Sequence, residues 1–172
     1  RKNDLENGGQ GAPLTPIFHS LIVRQNNISL PACILNIGGI SNITIIGKNS
    51  NSLFSRDIGP GNCVIDEWIR KKSHNQYDNN GLTARAGKCN NDILTKLMTD
   101  YSKIKNKLSL DVKNFDISHV QELSLEDGAA TLSNLTAKIL GTEILKIISK
   151  KYSNLREILV CGGGRKNKFL LE

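Results

Sequence analysis

The spacing of apolar residues changes period along this chain. From Ala32 it reads as strand: Cys33-Ile34-Leu35-Asn36-Ile37 runs into Gly38-Gly39, and Ile40-Ser41-Asn42-Ile43-Thr44-Ile45-Ile46 leads away. After a polar loop over 47–52, Leu53-Phe54-Ser55-Arg56-Asp57 forms a third strand, which breaks at Ile58-Gly59-Pro60-Gly61-Asn62. A helix is predicted over 61–72. No helix intervenes between the first strands, so residues 32–57 are expected to form an antiparallel meander with that helix packed across it.

Helical spacing dominates from Cys89 onward. Ile93, Leu94, Leu97 and Met98 form one stripe over 89–101. Residues 106–121 are polar and read as a loop with little regular structure. Ser124-Leu125-Glu126-Asp127 resembles a capping box, and Leu132, Leu135, Ile139, Leu140, Ile144, Ile147 and Ile148 give a long apolar face behind it. The strand 157–161 should join the sheet in parallel. It ends at Gly162-Gly163-Gly164, and a last helix begins near Asn167 and looks truncated at Leu171-Glu172. Residues 1–31 are punctuated by Gly8-Gly9-Gln10-Gly11-Ala12-Pro13, Pro16 and Pro31, with a short helix over 15–23.

Composition narrows the class. At 172 residues, 38% hydrophobic and 5% aromatic, the chain suits one α/β domain with an aliphatic core. No apolar run approaches the roughly 20 residues of a membrane span. The chain opens on Arg1, without the apolar stretch of a leader, and is expected to be a piece of something longer. Four cysteines without a C-x-x-C pair fit a reduced, cytoplasmic setting and, with isolated histidines, argue against zinc. The net charge of +7 raises nucleic acid as a partner, but the basic residues are scattered and no aromatics interleave with them. No nucleic-acid partner is expected.

The candidate chemistry lies in the glycine turns. Gly-Gly in a hairpin can be turn chemistry alone. Here Asn36 and Asn42 flank the first turn, and Asp57 and Asn62 the second. Bare backbone with polar side chains at strand ends is what a metal–phosphate site uses. Three look-alikes fail. Gly81 to Cys89 has five residues between its glycines instead of four, and Cys89 where a P-loop needs Ser or Thr. Gly59-Pro60-Gly61-Asn62 lacks the third glycine of a dinucleotide fingerprint. No G-x-S-x-G elbow supports a hydrolase.

The blocks Gly8 to Leu14, Asn36 to Ile43, Asp57 to Asn62, Asp127 to Leu132, Leu135 to Ala137 and Val160 to Asn167 occur in a characteristic order. Together they are similar to the anhydro-N-acetylmuramic acid kinase family, within the actin/hexokinase/Hsp70 superfamily. The resemblance implies an RNase H-like (actin-like ATPase) lobe, with three antiparallel strands plus parallel strands in a mixed sheet. It implies ATP and Mg²⁺ as cofactors and an anhydro-amino-sugar substrate, in cell-wall recycling. Gly38 and Gly39 would approach the β- and γ-phosphates, with Asp57, Gly59, Gly61 and Asn62 on the phosphate–metal side and Asn42 also among the nucleotide-binding residues. Asp57 would act on the metal indirectly. Gly162, Gly163 and Gly164 would lie against the adenosine, and Gly9, Gln10 and Gly11 beside the sugar.

The division implied is an inter-lobe, substrate-side segment over 1–31 and a C-terminal nucleotide-binding lobe over 32–172. The family's N-terminal lobe, with its Ser-Gly-Thr-Ser-type loop, is missing. The Asp that resembles the water-activating base would lie just upstream of Arg1, so no catalytic residue is assigned within this chain. The family's Pro-Pro-Lys-Ser stretch aligns near Asn106 to Ser109 with its prolines and lysine changed. The resemblance allows a homodimer of the full-length family. A non-catalytic remnant that still binds nucleotide is the alternative, and a nucleic-acid module ranks behind both.

Overall fold

A computed structural model describes residues 15–49, 52–104, 109–152, 154–155 and 157–172. Strands β1 (Ala32–Ile37), β2 (Ile40–Ile46), β3 (Leu53–Pro60) and β4 (Ile158–Cys161) form one sheet in the order β3-β2-β1-β4. β1, β2 and β3 are antiparallel neighbours, and β4 runs parallel to β1. The predicted meander and the parallel addition of the late strand are both present. One parallel pair completes the sheet.

Period-two alternation sends β1 and β2 side chains to two faces. On one face Cys33, Leu35, Ile37, Ile43 and Ile45 pack with Leu140, Ile144 and Tyr152. On the other, Ala32, Ile34 and Ile46 pack with Val23 of α1 (Pro16–Gln25). The first face is covered by α5 (Leu125–Lys151), a helix of 27 residues begun by Ser124, whose Oγ accepts the Asp127 N–H. Beside it lie α2 (Cys63–Lys72), α3 (Leu82–Ala86) and α4 (Asn91–Ile104), and α6 (Lys168–Leu171) ends the chain. Trp68 of α2 is buried and donates Nε1–H to the Leu125 carbonyl at 2.8 Å. A Cβ at Gly128 would fall 2.3 Å from its indole ring, so only glycine lets α2 and α5 approach this closely.

Boundaries differ from expectation in places. β3 continues through Gly59 to Pro60 instead of ending at Asp57, because a bulge absorbs the irregularity: Ser41 pairs with Gly59 and Asn42 with Asp57, leaving Ile58 over. Ile58 turns into the core, and its carbonyl accepts the Tyr101 hydroxyl at 3.0 Å. The expected loop over 106–121 carries two 3₁₀ turns, Val112–Asn114 and Ser118–Val120, and buries Leu110, Ile117 and Val120. Its polar residues hid those anchors, since their spacing follows no regular period.

A buried hydrogen-bond chain fastens α1. Ser55 Oγ donates to the Ile43 carbonyl at 2.9 Å, so its contact with Thr44 Oγ1 at 3.2 Å has Thr44 as donor. The 2.9 Å contact between Thr44 Oγ1 and His19 Nδ1 is then donated by the imidazole. Burial lowers the pKa of His19 from its usual 6.5. A depressed histidine contributes stability that is present above 6.5 and lost as pH falls through the folded-state value. Urea unfolding of the wild type should therefore lose more stability between neutral pH and pH values below 6.5 than unfolding of His19→Gln. Parallel losses would show that His19 does not carry this pH dependence.

Candidate functional site

The three glycine turns meet at one end of the sheet, around Asn62. The Gly38 carbonyl accepts the Asn62 N–H at 2.7 Å, and the Gly39 carbonyl accepts those of Gly61 at 2.8 Å and Cys63 at 3.2 Å. A Cβ at Gly61 would sit 2.1 Å from the Gly38 oxygen. Downstream, a Cβ at Gly162, whose φ is +83°, would lie 2.5 Å from the Ile37 oxygen, and one at Gly164 2.2 Å from the Ile37 side chain. Asn62 closes the group: its Nδ2 reaches the Ile37 carbonyl at 3.5 Å and faces Gly163, while its Oδ1 faces Gly164. Segments more than a hundred residues apart thus share one small surface.

This docking decides what the first turn shows to solvent. In a trans peptide the N–H points opposite to the C=O of the same unit. With the Gly38 and Gly39 carbonyls turned onto the start of α2, the N–H groups of Gly39 and Ile40 face away from that helix. Gly39 is exposed, and a Cβ placed there meets nothing within 4 Å among the described residues. Gly59 differs. It reaches the same end of the sheet, but the position of its absent side chain is filled by Ile139, 2.5 Å away.

A polar row crosses the sheet behind the turns. Asp57 pairs with Asn42, Asn42 with Asn36, and Asn36 with Cys161, so the four lie in register on one face, all half-buried. Asn36 Oδ1 lies 3.7 Å from Cys161 Sγ. Asn42 Oδ1 is buried without a hydrogen-bond partner among the described residues. Asp57 Oδ2 accepts the Leu110 N–H at 3.1 Å. Burial raises the pKa of Asp57, and the Leu110 amide opposes that shift.

Beside Asn62 opens a cleft of about 560 Å³. Asn62, Ile65, Asp66 and Arg70 form one wall, the stretch from Gln76 to Asn80 another, and Gly163, Lys166 and Asn167 a third. Burial raises the pKa of Asp66 too, with Arg70 pulling the other way. Asp78 is structural: its carboxylate accepts the Thr83 and Ala84 N–H groups at 2.8 and 3.0 Å. Asp66, Arg70 and Lys166 were not among the sequence candidates. The four-residue spacing of Asp66 and Arg70, on the helix entered from the glycine turn, was the available signal.

Gly38, Gly39, Gly61, Asn62, Gly162, Gly163 and Gly164 come together, and Asn42 and Asp57 stand side by side in the row behind them. Gly9, Gln10 and Gly11 lie outside the described residues. Among the described residues no group of three or more His, Cys, Asp or Glu side chains gathers as a metal cluster. No described helix is long and apolar enough to cross a membrane.

An α/β lobe with glycine turns and polar strand ends beside a cleft is consistent with half of a kinase. The family model for anhydro-N-acetylmuramic acid kinase matches residues 1–172, and the chain belongs to that family. It is 51% identical to the anhydro-N-acetylmuramic acid kinase of Pelagibacter ubique, 39% to that of Zymomonas mobilis and 36% to that of Caulobacter vibrioides. Each alignment covers 100% of this chain but only 47%, 46% and 45% of the respective relative. The chain spans about half the length of these curated relatives.

Two glycines that look alike in sequence should behave differently. Gly61→Ala must push the Gly38 carbonyl off the start of α2, and overpacking of this kind costs about 1–3 kcal/mol. Gly39→Ala should stay within about 0.5 kcal/mol of wild type, as open surface sites do. Urea denaturation of both variants checks the contrast, and equal losses would contradict the docking geometry.

Proposed function

We propose that this chain is the nucleotide-gripping half of an ATP-dependent sugar kinase. The reaction proposed for the whole protein takes 1,6-anhydro-N-acetylmuramic acid, water and ATP. Water opens the anhydro bridge, and the γ-phosphoryl group passes to O6. The products are N-acetylmuramic acid 6-phosphate and ADP. The observation that supports this reading is the meeting of three glycine turns around Asn62, at the mouth of a cleft large enough for a nucleoside.

The residues present fit a magnesium nucleotide. The Gly38-Gly39 turn carries no Cβ to hold phosphate oxygens away, and the place of a side chain at Gly39 is open among the described residues. Asn42 Oδ1 is a buried acceptor lacking a donor, and Asp57 lends one carboxylate oxygen to Leu110 while its other makes no hydrogen bond among the described residues. In this reading Gly38 and Gly39 hold the β- and γ-phosphates. Gly61 and Asn62 fix the chain entering the cleft, Asp57 and Asn42 hold Mg²⁺ indirectly, and Gly162 to Gly164 form the wall beside the adenosine. Mg²⁺, when bound, offsets charge on the phosphate oxygens. Gly59 serves differently: its bare α-carbon keeps the end of β3 against α5, so its role is to place Asp57 and Gly61.

The general base that the family resemblance implies is not among the residues of this chain. Removing such a base costs about 10²–10⁴-fold in rate, and losing substrate orientation removes further effective molarity. The isolated chain should therefore bind nucleotide without turning it over, the behaviour also of a non-catalytic nucleotide-binding module. A covalently joined complementary half distinguishes the two, since only a kinase half gains ADP release with the anhydro sugar.

Calorimetric titration of the chain with Mg·ADP should give saturable binding. Asp57→Ala and Gly39→Val should each weaken it by about tenfold or more, as expected for loss of a charged partner or obstruction of a phosphate turn. A coupled ADP-release assay on the chain alone should show no turnover. Absence of binding by the folded chain, or turnover that disappears with Asp57→Ala, would overturn this reading.

A further inference from the structure

α1 turns an apolar face to solvent. Ile17 is 71% exposed, Phe18 61% and Leu21 53%. No other stretch of five described residues carries three exposed large apolar side chains. Leu21 lies four residues after Ile17 and three after Phe18, the spacings at which helix side chains are neighbours, so the three form a single patch. The buried side of α1 fixes this orientation: Val23 is in the core, and His19 is tied through Thr44 to Ser55 of β3. Such patches mark interaction sites when they are contiguous and rigidly held.

Three occupants are conceivable, and the observations separate them. Residues 1–14 bring only Leu5, Ala12, Pro13 and Leu14 as apolar side chains, a composition with little surface to bury. A second copy would set like charges together, because α1 carries Arg24 and no acidic residue and the chain bears +7 overall. The remaining candidate is substantial. The matched region is 45–47% of the relatives' chains, so more than half of each relative lies outside it. That much polypeptide needs a surface on this lobe to rest against.

We propose that Ile17, Phe18 and Leu21 form the surface on which the other half of the family's polypeptide docks, through an apolar patch edged by a carboxylate within reach of Arg24. The patch lies on the same sheet face as the polar row from Asp57 to Cys161, because Thr44, two residues from Asn42, points to the α1 side. Docking there would bring the second half over the strand ends that carry the candidate site. The inference does not depend on the nucleotide reading, and Mg·ADP binding can succeed or fail without deciding it.

The test uses this chain and the part of the Pelagibacter ubique relative outside the matched region, made as a second chain. Binding is measured by calorimetry for wild type, Phe18→Asp, Leu21→Asp and Arg24→Glu. Because these side chains face solvent, the melting temperature of the chain alone should not fall. The two aspartate variants should weaken association by about tenfold or more each, the loss typical of a central apolar anchor, and Arg24→Glu by less. Undiminished binding by the aspartate variants would overturn the proposal. So would self-association of the chain that the same variants abolish, since the occupant would then be a second copy. If the separate half does not fold, both halves are joined in one chain and hydrogen exchange is followed over 17–24. Slower exchange than in the chain alone supports docking on α1, and unchanged exchange refutes it.

Discussion

The site depends on one constraint: the carbonyls of the β1–β2 hairpin hold the stretch of chain that leads into α2. The first N–H groups of a helix lack partners within it. Asn62 precedes α2, yet its side chain makes no capping bond. The Gly38 and Gly39 carbonyls receive the N–H groups of Gly61 and Asn62, which lead into the helix, and of Cys63, its first residue. Each such bond is worth about 1 kcal/mol net, and a buried donor left unmade costs more. Both glycine requirements follow. Gly61 must lack a side chain because the Gly38 oxygen occupies its place, and the hairpin must be close enough to be clamped. Clamping makes the hairpin turn and the start of α2 form as one unit.

The β3 bulge matters for the same reason at shorter range. Without the extra residue, the alternation of β3 would send Asp57 and Gly59 to the same face. With Ile58 inserted, Asp57 stays beside Asn42 in the polar row, Ile58 enters the core, and Gly59 meets Ile139 of α5. Burying Ile58 and bonding its carbonyl to Tyr101 stabilise the irregularity from the core side. Asp57 is then held from the other side by the Leu110 N–H. A carboxylate with its pKa raised by burial stays half-buried because a backbone donor comes to it.

Much of this could be read in the sequence, and what could not has identifiable causes. The strands, the helix after Gly61 and the long helix after Ser124 followed from apolar period and capping chemistry, which are local. The parallel return of 158–161 and the meeting of Gly162 to Gly164 with Ile37 and Asn62 were legible only through the family resemblance, since no local rule joins residues more than a hundred positions apart. The bulge was not legible: Ile58-Gly59-Pro60 looks like a strand break, and only pairing with Ser41 shows that the ladder resumes. The cleft side chains Asp66 and Arg70 are hard to read from sequence because charged positions at helical spacing ordinarily mean a solvated face, and Lys166 because it stands in a short 3₁₀ turn. His19 looked isolated because its partner, Thr44, belongs to another element.

The two faces of the sheet explain why this chain can be well packed and still leave polar groups unpaired at its strand ends. The α5 face is sealed by aliphatic contacts that involve only this chain. The α1 face is sealed by Val23, Ala32, Ile34 and Ile46 at one end and gives way to Asp57, Asn42, Asn36 and Cys161 at the other. Those polar groups are neither fully solvated nor fully paired, as the bare Asn42 oxygen shows. A buried acceptor without a donor lowers stability unless a ligand or a second surface supplies one. The folded state therefore carries a local cost at the strand ends, where binding from outside can relieve it, while the α5 core keeps the turns in place until that happens.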